Sequence, residues 1–545
     1  MRVGSALAKK EAQERAQCPL CYAEVEGTLR SHIIKVHGEE ALARAVLADR
    51  ERGVSDPEIG RRYGISFGTL EQIATEAYGA NVSVRERPKR IKRWHPQSFR
   101  LETTTVWSFK QRGDWATHDG RYRGNWSPYI PRNIILRYSK PGETVLDYFV
   151  GGGTTAIEAE LLGRRCIARD INPEAIRLTR ENLQFAPPRL LPGEGLELPL
   201  YEPEISVGDA RDLSGIPDGS VDLICAHPPY AGIIKYSSRI PGDLSALSVQ
   251  DFLAAMREVA EESLRVLKPG GKCAILIGDA RKAKHVVPIG FETIRVFLDA
   301  GFILRELVIK RQHNCRTTGF WYTRSLQYNF LLLAHEYLPI FEKPLVKRVE
   351  EPRAVWDYAL PRQVTLARVP KIKEEDLETT TVWVFSADRL DAEVRRNLLR
   401  RFAVDGEAFA EVQFHGDAPA FTPPLTSTVR LLFVRSPERE TEDTFTGYRG
   451  AIKRLIAQEG LLLPSGGFLV LEAKDFHVGN RLVPAGLLLW EDMSYQPDFS
   501  LKEVVIVASE EPPNGGFEGQ LDIAHRYLLV YRKAGAKIQR RRQGV

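Results

Sequence analysis

Apolar runs alternate with amphipathic stretches over the middle of this chain, from about residue 101 to residue 344. Continuous apolar runs at residues 145–149 and 166–169 predict two buried strands, and residues 154–162 between them predict a helix. Strands that alternate with helices along a sequence are typical of a sheet whose faces are covered by helices. The pattern therefore predicts an α/β domain over residues 101–344.

Two short helical patterns lie nearer the N-terminus, within residues 46–84. Ser55 or Asp56 can cap a first helix, Gly64 supplies a turn, and Ser66 can cap a second helix over residues 67–78. The apolar residues that two crossed helices would bury are Ile59, Ile65, Leu70 and Ile73. We predict a helix-turn-helix with residues 67–78 as its candidate recognition helix, and a plain helical hairpin is the alternative.

A chain of 545 residues exceeds what one hydrophobic core usually supports, so we expect three or more domains. Its 43% hydrophobic and 27% charged residues are ordinary for a globular protein. No stretch approaches the roughly 20 apolar residues that span a bilayer, and the charged N-terminus lacks the apolar core of a secretory signal. We therefore predict a cytoplasmic protein with no membrane partner.

Four metal-binding side chains are closely spaced at the N-terminus. Cys18 and Cys21 are followed by His32 and His37, which gives the pattern Cys-x2-Cys-x10-His-x4-His. A tight knuckle can supply two thiolates and a helix two imidazoles from adjacent turns, which suits one tetrahedral Zn²⁺. Residues 1–45 resemble a C2H2 zinc finger, although the linker is short and Val25 stands near where an aromatic residue is common. The four residues are the predicted ligands of a structural zinc.

Positive charge is clustered, although the net charge of +5 is modest. Residues 85–100 are dense in Arg and Lys with Trp94 and Phe99 interleaved, and residues 536–545 form a basic tail. Clustered cations suit contacts with phosphate groups, whereas a solvated linker and tail are the alternative. Together with the two modules before it, the basic linker predicts an N-terminal arm that binds double-stranded DNA.

Two strand-to-loop segments carry most of the candidate chemistry. The strand at 145–149 runs into three glycines and two threonines, where the backbone can approach a ligand and offer N–H donors at a helix start. A second strand ends in a His-Pro-Pro-Tyr turn at residues 227–230. Together these segments resemble motifs I and IV of the DNA amino-methyltransferases, which transfer a methyl group from S-adenosylmethionine to N4 of cytosine or N6 of adenine. The resemblance covers about residues 101–344 and implies a Rossmann-like methyltransferase sheet.

The resemblance also implies a site for S-adenosylmethionine. Residues 124–138 look like motif X, which flanks the cofactor, and Asp147 is expected near its methionine part. Asp170 ends the second strand, where a carboxylate can accept hydrogen bonds from two ribose hydroxyls, and Asp209 holds the position of an adenine contact. Loop caps without a ligand are the alternative for these aspartates. The predicted cofactor-binding residues are Trp126, Ser127, Pro128, Asp147, Phe149, Gly151, Gly153, Thr154, Thr155, Asp170, Ile171, Asn172, Asp209 and Ala210.

The predicted catalytic residues are His227, Pro228, Pro229 and Tyr230. The lone pair of a base amine is delocalised into the ring, so an acceptor must take a hydrogen bond from its N–H. In the family the first side chain of the tetrapeptide and a proline carbonyl do this, while the aromatic ring stacks on the flipped-out base. His227 departs from the commoner Asp, Asn or Ser. A neutral imidazole has one acceptor nitrogen and can substitute, but a protonated one cannot.

Part of the sequence recurs towards the C-terminus. Residues 101–109 return at 377–385 with one change, and residues 429–438 lie where 221–230 would align, without a glycine loop before them. A second echo has a constant offset of 196 and relates Gly271, Asp279 and Pro288 to Gly467, Asp475 and Pro484. We predict a degenerate methyltransferase-like α/β domain over residues 345–535. An unrelated α/β domain with a shared docking strand is the alternative.

These features predict a DNA amino-methyltransferase and leave the methylated base open. No room for a target-recognition domain lies between motifs I and IV, so recognition would fall to the N-terminal modules, the C-terminal domain or both. An RNA base-amine methyltransferase and a non-catalytic DNA-binding regulator with a vestigial cofactor pocket are the alternatives. A restriction endonuclease partner stays open, and the internal duplication is compatible with a monomer.

Overall fold

The structure is a computed structural model. It describes residues 17–25, 27–52, 54, 56–66, 69–70, 73, 91–118, 120, 122, 124–185, 197–230, 240–313, 318–345, 362–369, 377–403, 407–414, 429–437, 441–459, 463–511 and 520–534. The chain divides into one compact unit of residues 1–81 with 316–321 and another of residues 82–315 with 322–545. The predicted basic tail, residues 85–90 of the predicted linker and most of the predicted recognition helix lie outside the described residues.

The described part of the first unit is built on three helices. They are α1 (Leu29–His37), α2 (Glu39–Glu51) and α3 (Asp56–Tyr63). Ser66, the predicted cap of a second helix in the helix-turn-helix, accepts a hydrogen bond from the Thr69 N–H at 3.1 Å. Residues of the predicted zinc finger and of the predicted helix-turn-helix share one hydrophobic core of Cys18, Val25, Ile33, Leu42, Val46, Ile59, Tyr63, Ile65 and Leu70.

The second unit contains two large sheets, of which the first has eight strands. Its strands are β1 (Val106–Ser108), β2 (Thr144–Asp147), β3 (Arg165–Asp170), β4 (Glu204–Val207), β5 (Val221–Ala226), β6 (Leu267–Ile275), β9 (Ile303–Arg311) and β10 (His335–Glu342), and a hairpin of β7 (Ala280–Lys282) and β8 (His285–Val287) stands apart. The order is β1-β9-β10-β6-β5-β2-β3-β4, with β10 antiparallel to both its neighbours and the other pairs parallel. This is the α/β sheet that the sequence pattern predicts.

Helices cover both faces of this sheet because its central strands are apolar on both sides. Leu146 and Ile224 join one core cluster, while Val145 and Leu223 join another, as the alternation of side chains along a strand requires. The helices are α4 (Tyr129–Tyr138), α5 (Thr154–Leu161), α6 (Pro173–Asn182), α7 (Val249–Val266) and α8 (Ile289–Asp299). A further helix, α9 (Thr318–Gln327), lies between β9 and β10 in the sequence. The strand predicted at 145–149 ends earlier, at Asp147, whose carboxylate accepts a hydrogen bond from the Phe149 N–H and turns the backbone.

The second sheet has seven strands. They are β11 (Arg362–Arg368), β12 (Val382–Phe385), β13 (Ala408–Phe414), β14 (Leu431–Arg435), β15 (Phe468–Ala473), β18 (Phe499–Ser509) and β19 (His525–Lys533), with a separate hairpin of β16 (Phe476–Val478) and β17 (Arg481–Val483). Their helices are α10 (Leu390–Phe402), α11 (Glu442–Glu459) and α12 (Ala485–Ser494).

Six strands of the second sheet repeat the first sheet in order and direction. The order β12-β18-β19-β15-β14-β13 corresponds to β1-β9-β10-β6-β5-β2, pair by pair. The seventh strand differs, because β11 is antiparallel to β13 whereas β3 is parallel to β2. Ile224 pairs with Cys273, and Leu432 pairs with Leu469, which lies 196 positions after Cys273. Arg435, the last residue of β14, therefore occupies the position that corresponds to His227 in the first sheet.

The two sheets are joined by reciprocal contacts of the repeated Thr-Thr-Thr-Val-Trp segments. The Thr105 hydroxyl lies 2.8 Å from His525 Nδ1, and the Thr381 hydroxyl lies 2.8 Å from His335 Nδ1. Each segment also pairs with the stretch before the other sheet's last strand, through the bridges Thr104–Asp522 and Leu332–Thr380. One core cluster contains residues of both sheets. Among the described helices, none is long and apolar enough to cross a membrane.

Candidate active site

The two predicted motifs meet where the strand order of the first sheet reverses. From β2 the chain continues to β3 on one side of the sheet, while β5 lies on the other. A crevice outside the carboxyl ends of the strands at such a switch point is the usual ligand site of an open α/β sheet. The glycine loop follows β2 and the His-Pro-Pro-Tyr turn follows β5, so adjacent strands bring the two segments together.

A cleft of about 760 Å³, counting the open space at its mouth, lies over these strand ends. Eight of the predicted cofactor residues line it, namely Trp126, Phe149, Gly151, Asp170, Ile171, Asn172, Asp209 and Ala210. The glycine loop and the two carboxylates at the ends of neighbouring strands fit a cofactor with an adenosine part.

The remaining predicted cofactor residues do not line this cleft, and several support its floor. The Asp147 carboxylate is buried beneath the loop, which raises its pKa to about 7, and the nearby Thr155 hydroxyl and a hydrogen bond from the Phe149 N–H oppose that rise. Gly153 precedes α5 with a φ of +89°, a conformation that suits glycine. Thr154 and Thr155 are buried in the first turn of α5. Ser127 lines a second cleft, and Pro128 is the N-cap residue of α4.

Asp170 both lines the cleft and holds the glycine loop. Its Oδ2 accepts a hydrogen bond from the Gly151 N–H and its Oδ1 one from the Asn172 N–H, each at 2.9 Å. Burial raises the pKa of Asp170 to about 6, and the two backbone donors oppose that rise. Each carboxylate oxygen has a second lone pair, so ribose hydroxyls can still be accepted. Asp209 forms an ion pair with Arg211 at 2.6 Å, which keeps its pKa low despite burial.

Asn125 is a cleft residue that the sequence reading missed. Its Oδ1 accepts a hydrogen bond from the Gly152 N–H at 3.0 Å, and a Cβ atom added to Gly152 would lie 2.3 Å from Asn125 Nδ2. The middle residue of the loop must therefore be glycine. Asn125 lies within residues 124–138, which resemble motif X, but it was not among the predicted cofactor-binding residues. Tyr122 and Asp243 also line the cleft and were not predicted.

A second cleft of about 1100 Å³, open space included, adjoins the first. Trp126, His227 and the backbone around Gly124 line both clefts. The second cleft also contains Pro228 and Tyr230, while Pro229 lines the first. Its cationic residues are Lys110, Arg112, Lys310 and Arg311. Because this lining combines cations with aromatic rings, it would suit a ligand that has a planar ring and negatively charged groups beside it.

His227 is held in the neutral state. Burial lowers its pKa to about 4, and the charges of Lys310 and Arg112 act in the same direction, whereas Glu336 opposes them. The imidazole stacks on the Trp126 indole, with the ring centroids 5.6 Å apart. A neutral histidine keeps one nitrogen able to accept a hydrogen bond. This is the protonation state that the predicted role of His227 requires.

The Tyr230 hydroxyl lies between His227 and a buried carboxylate. It is 3.0 Å from His227 Nε2 and donates a hydrogen bond to Glu336. Glu336 in turn forms an ion pair with Lys310 at 2.6 Å. Neither Glu336 nor Lys310 was predicted from the sequence. The sequence signal that could have found them is that each is a charged residue within the apolar run of a strand.

The corresponding region of the second sheet contains different chemistry. Arg435 at the His227 position lies 2.7 Å from Asp391, and Arg526 lies 2.6 Å from the same carboxylate. Arg526 also contacts Glu472 at 2.9 Å. Because each arginine is paired with acidic groups, these side chains form a closed ionic network. An arginine has no acceptor nitrogen and cannot take a hydrogen bond from an amine.

The four predicted metal ligands converge in the first unit. The ligand atoms of Cys18, Cys21, His32 and His37 all lie within 4.8 Å of one another. Cys18 Sγ is 3.7 Å from His37 Nε2, and Cys21 Sγ is 3.5 Å from His32 Nε2. Sulfur and nitrogen ligands of one tetrahedral Zn²⁺ are about 3.5 Å apart. The cluster therefore fits such an ion.

Comparison with known proteins points to methyltransferases. Residues 74–181 match the family model N6_N4_Mtase, described as DNA methylase, and this match ends before His227. A tRNA (guanine(10)-N2)-dimethyltransferase from Methanothermobacter thermautotrophicus is 35% identical over 133 residues, or 24% of this chain and 34% of that protein. The Type II methyltransferase M2.DpnII from Streptococcus pneumoniae is 39% identical over 70 residues, or 13% of this chain and 25% of that protein.

A third relative is the Type II methyltransferase M.MthZI from Methanothermobacter thermautotrophicus, 28% identical over 165 residues, or 27% of this chain and 46% of that protein. The chain thus spans between a quarter and a little under half of the length of these relatives. A solved S-adenosylmethionine-dependent methyltransferase from Methanosarcina mazei is 19% identical over a match that covers 39% of this chain and 98% of that chain, with a TM-score of 0.26. The family match and the relatives support a methyl-transfer role.

Proposed function

We propose that this protein transfers a methyl group from S-adenosylmethionine to the exocyclic amine of cytosine (N4) or adenine (N6) in a flipped-out base of DNA. The observation that carries the proposal is the position of His227, which lines both the cleft suited to a cofactor and the cleft suited to a base. The match to the DNA methylase family model covers the glycine loop and supports S-adenosylmethionine as the cofactor. The cationic lining of the second cleft supports a nucleic acid as the substrate.

The residues of the first cleft would bind the cofactor, and those of the second cleft would bind and orient the base. S-adenosylmethionine, when bound, supplies an electrophilic methyl group. Asp170 and the glycine loop would hold the adenosine part, with Asp209 near its ring. In the second cleft, Tyr230 would stack on the base. His227 and the Pro228 carbonyl would accept hydrogen bonds from the target amine, so that its lone pair turns towards the methyl group.

An RNA base is the second candidate substrate. The relative named as a tRNA (guanine(10)-N2)-dimethyltransferase is 35% identical over 133 residues, and a cationic cleft suits RNA as well as DNA. DNA is favoured because the family model that matches residues 74–181 is of DNA methylases, and because the N-terminal unit combines a Cys/His cluster with a helical pattern typical of DNA binding.

The N-terminal unit is proposed to bind structural Zn²⁺ through Cys18, Cys21, His32 and His37 and to contact DNA. The C-terminal sheet is proposed to be a degenerate methyltransferase-like domain without its own reaction. The repeated strand order supports the common fold, and Arg435 in place of His227 supports the loss of chemistry. The non-catalytic regulator is the least favoured reading, since the first sheet keeps every predicted catalytic side chain.

The test is nucleoside mass spectrometry of nucleic acids from a methylase-free host that expresses the protein. We expect N4-methylcytosine or N6-methyladenine in DNA, and loss of that base with Tyr230→Ala. Tyr495→Ala is the matched control, because Tyr495 is 84% exposed and lies at the C-terminal end of α12, which lines neither cleft. A methylated base in RNA alone would transfer the proposal to RNA, and no methylated base together with no S-adenosylmethionine binding would overturn it.

A further inference from the structure

Four side chains form a continuous hydrogen-bonded chain behind the second cleft. His227 Nε2 lies 3.0 Å from the Tyr230 oxygen, Tyr230 donates its hydroxyl hydrogen to Glu336 Oε1, and Lys310 donates to Glu336 Oε2 at 2.6 Å. Glu336 and Lys310 lie directly opposite each other on β10 and β9. Glu336 is only 5% exposed. A carboxylate buried this deeply costs stability unless it is well paired, so its place beside the tetrapeptide calls for a role.

The donors in this chain determine which nitrogen of His227 carries the hydrogen. Burial raises the pKa of Glu336, but the charge of Lys310 and the hydrogen bonds from Lys310 and Tyr230 oppose burial and lower that pKa below its usual value. The carboxylate is therefore ionised and can only accept. Tyr230 has one hydroxyl hydrogen, and that hydrogen is committed to Glu336. The Tyr230 oxygen must then accept from His227, so Nε2 carries the hydrogen of the neutral ring. Nδ1 is left as its acceptor nitrogen.

We propose that Glu336 is a positioning residue that acts on His227 through Tyr230. It selects the tautomer in which Nδ1 can accept the N–H of the target amine, and its charge stabilises the imidazolium that forms during the reaction. The inference rests on the proposed function. An ionised carboxylate that orients a histidine and stabilises its protonated form has this effect in other enzymes without itself taking the proton.

The proton released by methyl transfer would pass to His227. The new carbon–nitrogen bond forms as the sulfonium–methyl bond breaks, and the electron pair of that bond remains on sulfur. The methylated amine then gives one N–H proton to Nδ1 of His227, and the electron pair of the N–H bond returns to the amine nitrogen. His227 carries the positive charge until the proton passes to solvent, while its Nε2–H points at Tyr230 and the Glu336 carboxylate beyond it.

The charge of Glu336 acts in the direction that this role requires. Burial has the largest effect on His227 and lowers the pKa of the imidazole, and the charges of Lys310 and Arg112 lower it further. The charge of Glu336 raises that pKa, with a smaller contribution from the backbone of Gly124. Glu336 is thus the charged group that favours the imidazolium.

The second sheet provides an internal comparison. Its register places Arg435 at the position of His227 and Arg526 at the position of Glu336, next to Tyr527 as Glu336 is next to Tyr337. The histidine and the carboxylate are therefore lost together in the copy that also lacks the glycine loop. Residues that change as a set are expected when they act as a set.

Kinetics of Glu336→Gln test the charge. We expect kcat to fall about a hundredfold, within the usual range for loss of acid–base assistance, with KM for DNA and for S-adenosylmethionine nearly unchanged. Tyr230→Phe keeps the stacking ring, breaks the chain and should lose a similar factor, and the double variant should lose no more than either. Glu306→Gln is the matched control, because it removes a carboxylate that is equally buried but lies on the neighbouring strand β9 and lines neither cleft. A Glu336→Gln rate within twofold of the wild type overturns the inference.

Nitrogen-15 NMR of histidine-labelled protein at pH 7.5 tests the tautomer without any assay of activity. The His227 signals are assigned by their loss in His227→Asn. We expect the Nε2–H tautomer in the wild type, and a change of tautomer population in Tyr230→Phe. A wild-type ring in the Nδ1–H form overturns the inference even if the protein methylates DNA. Absence of methylation together with the Nε2–H form overturns the proposed function and leaves the arrangement of the four side chains standing.

Discussion

Arg295 on α8 and Glu491 on α12 form an ion pair, and they are related to each other by the 196-residue offset of the internal repeat. Two equivalent positions can touch only where a two-fold relationship between the copies brings them face to face, as in a symmetric dimer interface. The two sheets are thus arranged as an internal dimer. The reciprocal contacts of Thr105 and Thr381 with histidines of the opposite sheet have the same symmetry.

Exchanging the two charges of this pair tests whether the interaction between Arg295 and Glu491 itself contributes to the free energy of unfolding. Arg295→Glu should lower the free energy of unfolding by about 1 kcal/mol, since it opposes two like charges in a partly exposed pair. Arg295→Glu combined with Glu491→Arg should regain most of that loss, as a double-mutant cycle from urea denaturation would measure. Equal destabilisation by the single and double variants would show that the pairing is not significant.

Thr105 and Thr381, which contact histidines of the opposite sheet, should contribute equally to the free energy of unfolding. Thr105→Val and Thr381→Val keep the shape of the side chain and each leave a buried histidine nitrogen without its partner, which costs about 1–3 kcal/mol. We expect similar losses in chemical denaturation for both, because the contacts are equivalent. A loss confined to one variant would mean that the two halves of the joint differ in energy despite their geometry.

The rate of methyl transfer should depend on pH through His227. Its pKa is lowered to about 4 from an ordinary value of 6.5, and only the neutral ring can accept the amine hydrogen. At saturating S-adenosylmethionine, the single-turnover rate should therefore include a fall to half near pH 4, below the pKa of Asp147 at about 7 and that of Asp170 at about 6. In His227→Asn this acid-side fall should disappear, and its persistence would show that another group titrates.

Folding stability changes in the same direction and must be monitored in that experiment. Because the folded-state pKa of His227 is depressed, the unfolded chain binds its proton more readily, so stability declines as the pH falls below 6.5. Circular dichroism of each sample at assay pH distinguishes lost rate from lost structure. A rate that falls together with the ellipticity would not report on His227.

Gly152→Ala should abolish tight binding of S-adenosylmethionine. The added methyl group would lie 2.3 Å from Asn125 Nδ2 and displace the loop that lines the cleft. We expect at least a tenfold weaker Kd by calorimetry. Asn125→Ala removes the obstructing amide, so the double variant should bind as well as Asn125→Ala alone. No rescue in the double variant would place the obstruction elsewhere, for example at Tyr122.

Removal of zinc should act on the N-terminal unit. We expect about one Zn²⁺ per chain by elemental analysis and its loss in Cys21→Ser, with the neighbouring Tyr22→Ala as a control that retains the metal. Structural zinc contributes directly to folding, so Cys21→Ser should lose the low-temperature part of the thermal transition. Binding of S-adenosylmethionine should stay unchanged. Full zinc content in Cys21→Ser would remove Cys21 from the ligand set.

Local sequence was enough to locate the glycine loop, the His-Pro-Pro-Tyr turn and the Cys/His cluster, because each is a short segment whose residue types and spacing already express its chemistry. Strand and helix alternation likewise predicted the α/β sheet, and the repeated nonapeptide predicted a second related domain. These features depend on neighbours in the chain, so they can be read without knowing what packs against them.

Tertiary structure alone decided the partners of those segments. Glu336 lies 106 positions after Tyr230, and only the pairing of β10 with β9 and β6 brings its carboxylate, held by Lys310, behind the tetrapeptide. Asn125 likewise reaches Gly152 only because the loop before α4 folds over the glycines. The meeting of Arg295 with Glu491 required the two sheets to adopt a two-fold arrangement. Contacts between distant residues depend on how strands and sheets pack, and no local pattern carries that information.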